Sequence, residues 1–258
     1  MKITEGKPSD IKIKKYAFSN DNNFGPSVPK PLPQRPFCMG VVGQAGSGKS
    51  CIVMSLLCRR KKCYNKQFDR VEVFSPSLSS MRGGNPFESL PEEQVHTDIC
   101  GDDIREIVES LDGTEDKCCI YIDDFVNTIA RDSELQSELC KLIMNRRHIG
   151  GGCSIILTTQ IYNKMPLCIR KTQTHLFMMN SKQKRELESL FDEHCSTRKE
   201  DFFKIVKHAI RKKHDGLFMD MDGPADKMFW RVSDNGFTPL ALNDPEELVE
   251  QATEEGAA

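Results

Sequence analysis

The sequence predicts an α/β fold, a mostly parallel sheet flanked by helices. Three observations predict it. From Phe37 onward, short apolar runs of strand length alternate with stretches of helical periodicity. The first run passes directly into a Gly-rich turn, Gly43-Gln44-Ala45-Gly46-Ser47-Gly48-Lys49-Ser50. A later run, Ile120-Tyr121-Ile122, ends in two acids, Asp123-Asp124.

The elements follow in order. Residues 21–36 carry five prolines, which removes backbone donors and excludes a helix interior or central strand. Residues 1–36 are therefore expected to be an extended arm, 37–232 the domain, and 233–258 an acidic, flexible tail. Phe37 to Val42 reads as a buried strand. Ile52, Val53, Leu56 and Leu57 give residues 50–60 a helical stripe, and Arg70 to Phe74 a second strand. Ser75 to Glu88, rich in Ser, Gly and Pro, reads as a loop. A helix over 102–111 precedes a third strand, Cys118 to Ile122. Leu135, Leu139, Leu142 and Ile143 mark a helix over 132–147. Strands at 153–159 and 175–179 follow, then charged helices near 181–191 and 198–212. Leu217 to Met221 and Met228 to Val232, around Asp222-Gly223-Pro224, suggest a terminal hairpin.

Composition narrows the function class. The chain has 258 residues, 38 % hydrophobic and 29 % charged. No apolar run reaches the roughly 18 residues of a membrane-spanning helix, and the first residues lack an apolar secretion signal, so a cytosol-like compartment is expected. Net charge is −2, but the seven acids after residue 231 stand without a single Lys or Arg. The body is thus basic, at about +5, which permits a nucleic-acid partner. The 11 cysteines form no Cys-x-x-Cys pair, so free thiols are expected rather than zinc.

Residues 43–50 fit the phosphate-loop pattern, Gly, four residues, Gly-Lys-Ser/Thr. Gly43, Gly46 and Gly48, with Gln44, Ala45 and Ser47 between them, would wrap backbone N–H groups around phosphate oxygens. The helix that follows aims its positive end at the same point. Lys49 is expected to reach the β- and γ-phosphates, and the Ser50 hydroxyl to bind Mg²⁺. Asp123, at the end of a buried strand, is the expected second Mg²⁺ ligand, and Asp124 the group that orients and deprotonates the attacking water. Gln160, at the end of the 153–159 strand, suits a sensor of the γ-phosphate. Arg146 and Arg147 close a helix just before Gly150-Gly151-Gly152. They either complement the helix dipole or reach a neighbouring subunit's ATP, and Arg170 is a further candidate for that reach.

Together, Gly43 to Ser50, Asp123-Asp124, Asn145-Arg146-Arg147-His148 and Gln160 resemble the FtsK–HerA superfamily, and within it the genome-packaging ATPases of poxviruses and other large eukaryotic DNA viruses. The resemblance spans about residues 35–180. It implies a P-loop NTPase with the loop strand central and an extra strand between it and the Walker B strand. It also implies ATP and Mg²⁺ as cofactors, and a homo-oligomeric ring, pentamer or hexamer, moving double-stranded DNA into a capsid in the host cytoplasm. Virion association and contact with capsid proteins belong to the same expectation. One departure is Asp124, where many members have Glu.

DNA contact would come from positive surface. Arg59-Arg60-Lys61-Lys62, Arg211-Lys212-Lys213, the group Lys182, Lys184 and Arg185, and the loop from Ser77 to Pro86 are all candidates. Two alternatives remain open: a nucleoside or small-molecule kinase, and a non-hydrolysing ATP-binding assembly adaptor. A GTPase is disfavoured because Asn163-Lys164-Met165-Pro166 lacks the acid of a guanine-reading motif.

Overall fold

A computed structural model describes residues 24–25, 28–58, 63–77, 87–180 and 183–241. Two of the basic candidates, Arg59 to Lys62 and Lys182, lie outside these residues, as do most of the Ser77–Pro86 loop and the chain beyond Ala241.

Nine strands form one sheet. In chain order they are β1 (Cys38–Val42), β2 (Arg70–Phe74), β3 (Val95–His96), β4 (Cys118–Asp123), β5 (Cys153–Thr159), β6 (His175–Met179), β7 (Gly216–Asp220), β8 (Phe229–Ser233) and β9 (Gly236–Leu240). Across the sheet the order is β3-β2-β4-β5-β1-β6-β7-β8-β9. The first six are parallel to one another and the last three add on antiparallel. The loop strand β1 is central, and β5 lies between it and the acid-bearing β4, as the resemblance implies.

Strand periodicity sorts side chains between the two faces. Cys118, Ile120 and Ile122 of β4 face the core shared with α2 (Gly101–Leu111) and α4 (Ser133–Asn145). Cys119 and Tyr121 face the other way, into the core shared with α1 (Lys49–Cys58). Asp123 follows Tyr121 in that period, so its carboxylate emerges on the face where α1 begins. The first face also holds two short helices, α3 (Val126–Arg131) and α5 (Leu167–Thr172). Further along, α6 (Lys184–His194) and α7 (Lys199–Ala209) cover β6 and β7 through Leu190, Phe202 and Ile205.

Several expectations need correction. The described part of the Pro-rich segment is not an extended lead-in. Phe24, Val28 and Leu32 are buried beside α1 and Tyr64. The Tyr64 hydroxyl donates to the Pro33 carbonyl at 2.9 Å, and the Gln34 side-chain amide donates to the carbonyls of Val28 and Leu32. Apolar side chains between the prolines fill the α1 face of the sheet, which α1 alone cannot cover. Burial of each contributes roughly 1.5–3 kcal/mol. At the other end, residues 236–240 are the edge strand β9 rather than tail. They pair with β8 through backbone groups, which side-chain periodicity does not announce. Finally, Cys140 of α4 and Cys168 of α5 form a disulfide, contrary to the expectation of free thiols. Their 28-residue separation gave no signal; packing of α5 on α4 brings them together.

Candidate active site

The phosphate loop leaves β1 at its C-terminal end and enters α1. Gly46 and Gly48 have φ of 71° and 103°, the region that favours glycine. A side chain on Gly43 would lie 2.6 Å from Cβ of Met179 and 2.7 Å from Oγ of Ser47, so the loop closes only with glycine there. Lys49 is buried, and its Nζ donates to the carbonyls of Gly43 at 2.8 Å and Gln44 at 3.3 Å. Burial pushes its pKa down, while Asp124 and Asp123 pull the other way. Ser47 Oγ is buried in the loop with no hydrogen-bond partner. An orphaned hydroxyl inside a ring of loop amides is the kind of group that an incoming oxyanion satisfies.

The second half of the site comes from β4 and β5, which place Asp123 opposite Thr158. Asp123 is buried and bound by three hydroxyls. Oδ1 accepts from Tyr121 at 2.9 Å and Thr158 at 2.6 Å, and Oδ2 accepts from Ser75 at 3.0 Å. The Tyr121 hydroxyl also reaches Ser50, and so ties the phosphate loop to the acid. Burial and the adjacent Asp123 raise the Tyr121 pKa far above its ordinary value, so it stays a donor. Asp124, one residue on, is exposed and sits at φ 59°, uncommon for a residue other than glycine. Its backbone N–H donates to Thr158, and its Oδ2 accepts from Gln160 Nε2 at 2.6 Å. Gln160 and Asp124 thus stand side by side.

Lys49, Ser50, Asp123, Asp124 and Gln160 therefore converge at the C-terminal ends of three adjacent strands, where open parallel sheets place ligands. Arg146 and Arg147 do not join them. Arg146 lies at the opposite end of the sheet, where its Nε donates to the Pro36 carbonyl at 3.2 Å and its Nη1 to Ile143 at 3.0 Å. Arg170 is paired with Glu193 at 2.6 Å and lies over the Tyr162 ring. Four contributors escaped the reading of the sequence. Tyr121 was legible, being two residues before Asp123 on the same strand face. Thr158 and Ser75 are strand-end hydroxyls whose relation to Asp123 depends on strand order. The fourth is His214, whose Nδ1 sits 3.2 Å from the Ser47 carbonyl on the flank of the loop. It arrives from the α7–β7 turn, 167 residues away in sequence.

The family model described as "Poxvirus A32 protein" matches residues 29–216. The chain belongs to the poxvirus A32 protein family. It is accordingly a viral genome-packaging ATPase. The match starts within the Pro-rich segment, in agreement with the packing of Leu32 into the core. No curated protein matches the chain. Among solved structures, the fold of this A32-family chain is similar to B204, the DNA-packaging ATPase from Sulfolobus Turreted Icosahedral Virus. The TM-score is 0.56 at 16 % identity, over 80 % of this chain and 98 % of that one. The B204 of Sulfolobus turreted icosahedral virus 2, solved in complex with ATP-gammaS, gives 0.51 at 16 % identity, over 72 % and 93 %. EssC from Geobacillus thermodenitrificans gives 0.50 at 13 % identity, over 85 % and 43 %.

Proposed function

We propose that this A32-family chain hydrolyses ATP and couples the hydrolysis to movement of double-stranded DNA into a capsid, as a homo-oligomeric ring. One observation carries the reading: Lys49 and Ser50 of the phosphate loop stand against Asp123 and Asp124, with Gln160 on Asp124. Gly43, Gln44, Ala45, Gly46, Ser47 and Gly48 supply backbone around the phosphates. Lys49 neutralises charge that develops on the β–γ bridge. Asp124 takes a proton from water as that water's oxygen bonds to the γ-phosphorus, and the bond to the β-phosphate oxygen breaks. Gln160 holds Asp124 in place by its amide and responds to loss of the γ-phosphate. The Ser50 hydroxyl and the Asp123 carboxylate are hard oxygen donors that suit Mg²⁺, which would supply charge neutralisation. A kinase would need an acceptor pocket for a second substrate beside this site.

The test is ATP hydrolysis with and without long duplex DNA, at several salt concentrations. The expected result is stimulation by DNA that falls steeply with salt, because phosphate contacts release counterions. Lys49→Ala should abolish turnover and leave the fold intact. Stimulation by a nucleoside, with none by DNA, would turn the assignment to a kinase.

A further inference from the structure

At the end of the sheet where the parallel strands begin, a cavity of about 530 Å³ opens between the Pro-rich segment and the β7–β8 connection. Lys30 and Arg35 line one side, and Lys227 and Trp230 the other. Lys30, Arg35 and Lys227 are exposed, and none has an ion-pair partner among the described residues. Arg147 also lines the cavity, and its Nε is buried with no acceptor. Two acids border the same space, Asp220 and Asp222. Asp220 is already engaged: its Oδ1 lies 3.4 Å from His175 Nε2 and accepts the backbone N–H of Asp222 and Gly223. The groove is left with an excess of cations at the end of the molecule away from the nucleotide site.

The path of the chain supplies an anion for it. In the β8–β9 pair, Leu240 lies opposite Phe229 and Pro239 opposite Trp230. The backbone therefore leaves the sheet beside two residues that line the groove or adjoin its lining. Beyond Ala241, residues 242–258 contain Asp244, Glu246, Glu247, Glu250, Glu254 and Glu255 and no Lys or Arg. An extended chain spans about 3.3 Å per residue, so the first acid lies roughly 13 Å along the chain from Leu240.

The geometry points to this groove as the docking site of the chain's own acidic C-terminal segment, residues 242–258. The carboxylates pair with Lys30, Arg35, Arg147 and Lys227. Being tethered, the segment meets the groove at an effective concentration near millimolar, so modest contacts suffice. Docked there, it shields these cations from any longer polyanion. The assignment is independent of turnover at the phosphate loop.

The experiment uses the full chain at low protein concentration. A zero-length carbodiimide joins amines to carboxylates in direct contact, and mass spectrometry locates the links. Trp230, the only tryptophan, reports on the groove by its fluorescence. We expect links from Lys30 or Lys227 to Glu246, Glu247 or Glu250, in a yield independent of protein concentration. The yield should fall severalfold as salt rises from about 0.05 to 0.5 M, since exposed pairs are screened. Trp230 emission should shift to the red over the same range. In E246Q/E247Q/E250Q it should be red-shifted at low salt and unresponsive to added salt. Three results would each overturn the inference: absence of links together with unchanged emission; links whose yield grows with protein concentration, which would seat the segment on another copy; and emission that responds to short duplex DNA but not to the neutralised segment, which would make the groove a nucleic-acid site.

Discussion

Asp123 shows how much of the site rests on single hydrogen bonds. Three hydroxyls, from Tyr121, Thr158 and Ser75, fix both of its oxygens. Each donates to a carboxyl oxygen, and leaving such a buried acceptor short of a partner costs about 1–3 kcal/mol. Replacing Tyr121 by Phe removes one donor and the link to Ser50 and adds no bulk. The expected outcome is a fall in kcat of about tenfold, corresponding to about 1.4 kcal/mol of transition-state positioning, with ATP affinity little changed. Steady-state kinetics beside equilibrium nucleotide binding will check it; equal losses in both would make Tyr121 a binding group instead. The free cysteines tell a quieter story. Burial lifts Cys38 to about 12 and Cys195 likewise to about 12, so neither is a thiolate nucleophile near neutral pH.

At the scale of elements, two local devices hold the frame. Helix α4 starts at Asp132, whose Oδ1 accepts the backbone N–H groups of Glu134 at 2.9 Å and Leu135 at 3.0 Å. Asp132→Ala leaves those donors without a partner and should cost about 1 kcal/mol, read as a lower midpoint in denaturant unfolding. The α7–β7 turn is clamped by Asp215. Burial alone would raise its pKa, but the Arg231 guanidinium and the backbone N–H groups of Arg211 and Lys212 outweigh that and hold it below its ordinary 3.8. A carboxylate so depressed stabilises the fold above its unfolded pKa, and the gain is lost as pH falls through the folded value. The unfolding midpoints of the native chain and Asp215→Asn should therefore differ above about pH 5 and converge as the pH falls below the ordinary carboxylate range. The same clamp carries His214 to the phosphate loop, so the variant should also weaken nucleotide binding.

For the whole molecule, the decisive fact is that Arg146 and Arg147 and the phosphate loop occupy opposite ends of one sheet. Neither arginine reaches its own subunit's phosphate loop, so a catalytic role for either would have to be played at a neighbouring subunit's nucleotide. That proposal has a direct assay. Subunits carrying Arg146→Ala or Arg147→Ala, mixed with Asp123→Asn subunits, should recover part of the lost ATPase activity, because each mixed interface can pair an intact loop with an intact arginine. An arginine supplied in trans can be worth roughly 10³–10⁵ in rate, so even a small recovery is measurable. Lack of recovery at every mixing ratio would leave Arg146 with the part its contacts already show, a strut between α4 and the Pro-rich segment.

The sequence by itself determined the elements that announce themselves locally. The phosphate loop, the acid-tipped β4 and the glutamine-tipped β5 were legible because their chemistry is contiguous and their apolar runs have a fixed period. The edge strand β9 and the two-residue β3 were not, because they are held by backbone pairing at the sheet edge. The Pro-rich segment misled for a related reason: proline excludes helix and central strand, yet says nothing about where Phe24, Val28 and Leu32 are buried. Only the tertiary structure decided that Ser75, Thr158 and His214 belong to the site, that Cys140 meets Cys168, and that Arg146 stands far from its own nucleotide loop. Each of these depends on which strands and helices become neighbours, and that is settled by the burial of whole faces rather than by any local run of residues.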